Sequence, residues 1–122
     1  MDGPLRPVIN CHCKRCRRWT GHFMAATNAA AEALVLDQGT DLLRWWVPTE
    51  EPKVAYASCT QCGSSLFWRS KDRPSTQSIA AGTLDPPTGV ETVHALFVAE
   101  ASDYHTLDPN LSSHPHDSSG PQ

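Results

Sequence analysis

Residues 11–16 are Cys-His-Cys-Lys-Arg-Cys, so three thiols lie within six residues near the amino terminus. A second pair, Cys59 and Cys62, precedes Gly63, and these two stretches contain all five cysteines. Five thiols cannot all pair, and residues 1–10 contain no apolar run that indicates a secretory signal. Clustered thiols in a reducing compartment are more often ligands or catalysts than disulfides. We therefore expect a cytoplasmic protein whose cysteines bind metal.

Zinc is the metal that this pattern favours, because it accepts four thiolates tetrahedrally at about 2.3 Å. In Cys59-x-x-Cys62 the turn aims both sulfurs at one ion, and Gly63 suits the positive φ of such a knuckle. The pair could instead be a redox dithiol or two small buried hydrophobes. A redox pair is expected beside a βαβ pattern, and none is visible.

Length and composition limit the classes of function. A chain of 122 residues is expected to form one domain. Its mean hydropathy is −0.40, and no run approaches the ~20 apolar residues of a membrane span. The formal charge of −3 argues against a general nucleic-acid binder. Small molecules are therefore the expected partners, with no nucleic acid and no membrane.

Short strands and turns are expected along the chain, because ten prolines and seven glycines are spread through it. A turn or a single helical turn is predicted at 17–21. The alanine-rich run 28–33 is ambiguous, because alanine favours helix but the run is short and uncapped. The pattern predicts an all-β domain over 1–111 with several antiparallel strands and two thiol-bearing turns. We expect 112–122, which has no apolar residue, to be a mobile tail with His114 and His116 in solvent. The candidate strands are 8–9, 22–26, 42–47, 53–58, 64–68, 76–81 and 92–98.

Three thiolates from one segment are typical of a catalytic zinc, whose fourth position stays open. Such a zinc would hold a thiol substrate as a thiolate near neutral pH. The thiolate could add to an aldehyde carbonyl, and carbon–sulfur cleavage is the reverse reaction. Cys11, Cys13 and Cys16 are therefore the candidate catalytic and metal-binding residues.

Basic residues surround these cysteines. Lys14, Arg15, Arg17 and Arg18 could bind the carboxylates of an acidic thiol such as glutathione, since Arg pairs with carboxylates in a bidentate manner. The alternative for each of them is a solvated surface charge. His12, between two ligands, could point to solvent or act as an acid/base group.

Four stretches resemble, in the same order, the glutathione-dependent formaldehyde-activating enzyme family, which includes the centromere protein V group. The resemblance spans about residues 8–111 and implies a zinc-containing β-tent fold. It implies a carbon–sulfur lyase activity that joins formaldehyde to glutathione, giving S-hydroxymethylglutathione. It also implies a catalytic zinc on Cys11, Cys13 and Cys16, a structural zinc involving Cys59 and Cys62, and a pocket near Thr83 and Asp85. The stretches are 11–21, 59–67, 81–85 and 93–98.

One departure from the family pattern concerns the structural zinc, whose other two thiols come from an upstream Cys-x-Cys that residues 1–10 do not contain. Cys59 and Cys62 then either hold no metal or join two of the three amino-terminal thiols in one closed tetrathiolate. The closed site would make the protein a non-catalytic, zinc-stabilised module. The absent first strand would also leave a sheet edge that a homodimer could cover.

Overall fold

The computed structural model describes residues 4–117. Within them one α-helix, α1 (Lys14–Thr20), packs on a single eight-stranded sheet, accompanied by four short 3-10 turns. No helix in this range has the length and apolar character to span a bilayer. The strands are β1 (Val8–Cys11), β2 (Met24–Ala30), β3 (Leu43–Trp46), β4 (Val54–Cys59), β5 (Ser65–Ser70), β6 (Thr76–Ala80), β7 (Thr92–Leu96) and β8 (Ser112–Ser113).

The strands lie in the order β3-β4-β5-β6-β2-β1-β7-β8. The mostly-sheet class is confirmed, and seven strands match the candidates in place. The predicted antiparallel pairing is present between several strands, whereas β7 runs parallel to both β1 and β8. Alternation of apolar and polar residues identifies a strand but does not encode the direction of its neighbour. The sheet is therefore mixed.

Successive side chains on each strand point to opposite faces of the sheet, and the two faces differ. One face has a buried core of Ala29, Ala57, Phe67 and Ile79, against which partly buried leucines and Trp45 pack. On the other face Met24 and Ala26 pack with Cys16, and partly buried Trp68 borders them. This second face is the wall of the cavity described below.

The alanine-rich run 28–33 is strand up to Ala30 and a 3-10 turn over Ala31–Ala33. Strand pairing with β6 decides this outcome, because the main chain of β2 is bonded along its length to Thr76–Ala80. Tertiary pairing overrides the helix preference of alanine in a run this short.

The end of the described chain contains a strand where the sequence predicted none. Ser112–Ser113 pairs with β7, and the His114 amide donates to the carbonyl of Ala95 at 2.9 Å. Main-chain pairing needs no apolar side chain, which explains why composition did not indicate it. Residues 118–122 of the expected tail lie outside the described part, and the domain boundary at 111 stays a prediction.

Candidate metal centre and cavity

The three amino-terminal thiols are brought together by a strand, a cap and a helix. Cys11 ends β1, Cys13 is the N-cap of α1, and Cys16 lies in the first turn of that helix. The Cys13 sulfur accepts the Cys16 amide at 3.4 Å. Gly21 ends the helix in the left-handed conformation at φ 87°, with its amide on the carbonyl of Arg17. All three sulfurs consequently lie within 4.8 Å of one another.

This sulfur triangle fits zinc. Tetrahedral coordination at about 2.3 Å requires sulfurs about 3.8 Å apart, which is compatible with three sulfurs that all lie within 4.8 Å of one another. In residues 4–117 no fourth Cys, His, Asp or Glu joins the group. Cys11, Cys13 and Cys16 would hold the ion and leave one tetrahedral corner open.

The electrostatics of the group concentrate negative charge on one sulfur. Hydrogen bonds from Cys11 and Cys16 lower the pKa of Cys13, whereas sharing a proton with Cys13 raises the pKa of Cys11. The pKa of Cys16 is raised by its two thiol neighbours and by burial. The hydrogen bonds within the cluster therefore favour negative charge on the Cys13 sulfur.

The hairpin thiols lie elsewhere. Cys59 ends β4 and Cys62 is exposed in the following turn, where its sulfur lies 3.1 Å from the Ser64 hydroxyl. Gly63 has a φ of 80°, as expected for the knuckle. Neither cysteine joins the amino-terminal group. The described chain therefore does not form the closed tetrathiolate, and in residues 4–117 the hairpin pair belongs to no group of three or more metal-ligating side chains.

A cavity of about 760 Å³ opens beside the three sulfurs. Its walls are the faces of β2, β4, β5 and β6 opposite the leucine-covered core. Tyr56 lies in this wall with only 2% of its surface exposed. Its ring contacts Trp19 edge-on at 4.9 Å and Trp46 at 5.1 Å. The cavity therefore combines a sulfur cluster with a buried aromatic hydroxyl.

The four predicted glutathione-binding residues separate into two groups. Lys14, Arg15 and Arg18 line the cavity. Arg17 does not, since its Nη1 donates to the Ser102 hydroxyl at 3.1 Å on another side of α1. Its buried Nε has no hydrogen-bond partner among residues 4–117. The prediction for Arg17 is not supported, because its side chain holds the segment after β7 against the helix.

Arg15 has three electrostatic neighbours inside the cavity. Its Nε lies 3.7 Å from the Glu50 carboxylate. Burial opposes the charge of Arg15, but a hydrogen bond with the Tyr56 hydroxyl and the negative charge of Cys13 raise its pKa overall. Arg15 therefore links the thiolate to the buried tyrosine.

Three residues proposed from sequence lie outside the cavity. His12 is only 2% exposed and packs between Phe23 and His105, at ring distances of 5.0 and 5.2 Å. Burial, then neighbouring positive charges, lower its pKa. Thr83 and Asp85 are exposed and do not line the cavity, and the Thr83 hydroxyl donates to Ala80. The structure thus assigns His12 to packing and places the Thr83 turn away from the sulfurs.

Sequence reasoning missed Tyr56, Arg6 and Arg73, which all line the cavity. Tyr56 could have been found, since it follows Val54 by two residues on β4 and so shares its face. No sequence signal places Arg6 and Arg73 in the cavity wall, because they reach it through the long-range pairing of other segments with β2.

Comparisons with known proteins identify the family and the fold. The sequence model of a family described as glutathione-dependent formaldehyde-activating enzyme matches residues 1–100. A search of curated proteins found no match. A crystal structure of a Rhodobacter sphaeroides protein has 20% identity and a TM-score of 0.55, covering 67% of this chain and 72% of that one. This structural likeness shows a shared fold.

Proposed function

Because the chain belongs to the glutathione-dependent formaldehyde-activating enzyme family, we propose that it is a zinc-dependent carbon–sulfur lyase. It joins the thiol of glutathione to formaldehyde or another small aldehyde, in the cytoplasm. The observation that supports this proposal best is the sulfur triangle with one open corner on the cavity wall. A closed four-sulfur site would have no place for a substrate.

The addition of the thiol to the aldehyde needs no further reactant. The substrate sulfur donates an electron pair to the carbonyl carbon, and a carbon–sulfur bond forms. The carbonyl π pair moves to oxygen, which takes up the proton that the thiol lost. Zinc on Cys11, Cys13 and Cys16 would supply one property, a lowered pKa for the incoming thiol.

Tyr56 and Arg15 are suited to the oxygen side of this reaction. Burial is the main cause that raises the pKa of Tyr56, so its hydroxyl stays protonated and can donate to the developing alkoxide. The Arg15 guanidinium lies beside that hydroxyl and is a bidentate partner for a carboxylate. Lys14 and Arg18 add positive charge at the same wall.

The proposed function is tested by metal analysis followed by an NMR assay with ¹³C-formaldehyde and glutathione. We expect about one zinc per chain and a faster appearance of the hydroxymethyl signal than in buffer. Chelation should remove the acceleration and zinc should restore it. A fully zinc-loaded chain that gives only the buffer rate would contradict the proposal.

Two arginines of α1 allow a matched comparison of substrate binding. We expect Arg15→Ala to raise the KM for glutathione about 10-fold or more, the value of a lost charge-assisted hydrogen bond. Arg17→Ala should leave this KM unchanged and instead lower the free energy of unfolding, because Arg17 holds Ser102. Steady-state kinetics and urea unfolding of both variants measure the two effects. Equal KM values for the two variants would show that Arg15 does not contact the substrate.

The expected homodimer stays a prediction. The sheet edges of the described chain are β3 and β8, and Trp46 on β3 is 44% exposed.

A further inference from the structure

The strap, which comprises the last described residues 112–117, lies across the end of β7 beside the cavity. Beyond its short pairing with β7, its carbonyls accept three successive amides from the turn that follows that strand. The bonds run from Val98 to His114, from Ala99 to Pro115 and from Phe97 to His116, at 3.0, 3.3 and 3.2 Å. The strap is therefore held mainly by main-chain hydrogen bonds.

Side chains add little to this attachment. Five of the six strap residues are exposed, and none is of a type that usually forms a core. His114 contributes one ring contact, edge-on to His94 at 5.3 Å. A main-chain hydrogen bond that replaces bonds to water adds only modestly to stability, and segments with little apolar burial open more readily than the core. The strap can therefore detach while the sheet stays folded.

The end of the strap reaches the cavity on the side of the sulfurs. Asp117 follows the residue bonded to Phe97, and both Asp117 and Phe97 line the cavity. Phe97 follows Leu96, which is the register partner of Cys11 in the parallel pair of β1 and β7. Adjacent strands lie about 4.8 Å apart, so β8 runs roughly 10 Å from β1. The strap thus borders the end of the cavity that contains Cys11 and Cys13.

The turn that receives the strap also contacts the cysteine segment. Phe97 has a left-handed conformation at φ 55°, the only non-glycine residue of 4–117 to do so. Such a conformation persists where surrounding contacts fix it, and the bonds to the strap supply these contacts. In the same turn the Glu100 carboxylate accepts the amide of Lys14, the residue after Cys13, at 3.1 Å. Detachment of the strap would therefore loosen a contact made next to a sulfur ligand.

We propose that the strap is displaceable and restricts the access of solutes to Cys11 and Cys13 while it is docked on β7. The docked strap narrows the sulfur end of the cavity and places the Asp117 carboxylate there, which disfavours anionic solutes most. Detachment breaks the bonds to the turn after β7 and opens this end without unfolding the sheet. The proposal depends on the geometry of the cavity and not on the reaction proposed above.

Alkylation of the zinc-free chain tests this access, with exposed Cys62 as the internal reference. His114→Pro removes the amide that donates to Ala95 and the ring contact with His94, so it should detach the strap. We expect iodoacetamide to label Cys11 and Cys13 about 5-fold faster in this variant, the effect of one lost hydrogen bond on an opening equilibrium. The rate at Cys62 should not change. Peptide mass spectrometry gives each rate.

Two further variants separate the position of the strap from its charge. His116→Ala is the matched control, because this side chain is exposed outside the cavity and the carbonyl that accepts from Phe97 is kept. It should label at the wild-type rate. Asp117→Asn keeps the strap docked and should speed labelling by anionic iodoacetate about 2-fold, the effect of one exposed charge. It should leave labelling by neutral iodoacetamide unchanged.

Hydrogen exchange of the same chains shows whether His114→Pro acts through the strap. The amides of residues 97–99 should be protected in the wild type and lose protection in the variant, while β2 and β6 keep theirs. Lost protection at 97–99 with unchanged labelling of Cys11 and Cys13 would overturn the proposal. If His114→Pro unfolds the sheet, the milder His114→Ala, which removes only the ring contact, decides the question by the same two measurements. None of these readouts requires catalytic activity, so they stand apart from the lyase assay.

Discussion

Replacing Cys13 by serine is expected to remove zinc and to reduce the rate of adduct formation at least about 100-fold. This effect should exceed that of mutating a residue that only hydrogen-bonds to a metal ligand. A serine hydroxyl is not deprotonated near neutral pH, so it cannot replace the thiolate on which the charge of the cluster is concentrated. Serine is nevertheless a preferred N-cap residue, so its hydroxyl can accept the Cys16 amide in place of the sulfur. The variant therefore separates metal binding from helix formation.

Metal analysis, the NMR assay and circular dichroism measure the three consequences of Cys13→Ser. Cys62→Ser is the matched control, because Cys62 is exposed and lies outside the sulfur triangle. We expect the control to keep both its zinc and its rate. Retention of zinc and turnover by Cys13→Ser, with loss of both in Cys62→Ser, would place the active metal at the hairpin instead.

The sequence contained enough information for the sulfur site because its ligands are local. Cys11, Cys13 and Cys16 need only a strand end and one helical turn to meet, and their spacing encodes both. The β4–β5 hairpin could also be predicted from the sequence, because two apolar runs flank its turn. Features that depend on short-range order were therefore predictable.

The sequence analysis did not predict the role of Arg17, because it placed the start of the helix too late. The prediction placed a helical turn only at 17–21, whereas α1 begins at Lys14. Residues two apart on a helix lie on nearly opposite sides, so Arg15 and Arg17 cannot both face the cavity. A helix assigned from Lys14 onward would have separated them by periodicity alone.

The pairing of β1 with β7, and the presence of Arg6 and Arg73 in the cavity wall, could not be predicted from the sequence for another reason. Each depends on a contact between segments distant in the chain, and the hydrophobic pattern of a strand does not specify its partner. The cavity lies on the face of the sheet that these long-range pairings create. Its sulfur wall was predictable, but these two arginines were not.

Replacing Tyr56 by alanine is expected to lower the free energy of unfolding by about 3–5 kcal/mol, the range for truncating a buried aromatic side chain. Tyr56 is 2% exposed, and its ring contacts Trp19 of α1 and Trp46 of β3. These contacts tie the helix that holds Cys16 to the sheet, so the variant should also bind zinc more weakly. Urea unfolding with and without zinc measures both effects.

Tyr56→Phe is the matched control, since it keeps the ring and removes only the hydroxyl beside Arg15. The free energy of unfolding of Tyr56→Phe should fall by about 1 kcal/mol, the net value of one hydrogen bond. Its turnover should fall more than the turnover of a core variant that has lost the same stability.

Stability losses of equal size in Tyr56→Ala and Tyr56→Phe would show that the hydroxyl, and not the ring, anchors α1. A Phe variant with wild-type turnover would exclude Tyr56 as the donor to the aldehyde oxygen, because the ring alone cannot stabilise a developing negative charge. The aromatic anchor and the proton donor are thus separable functions of one side chain.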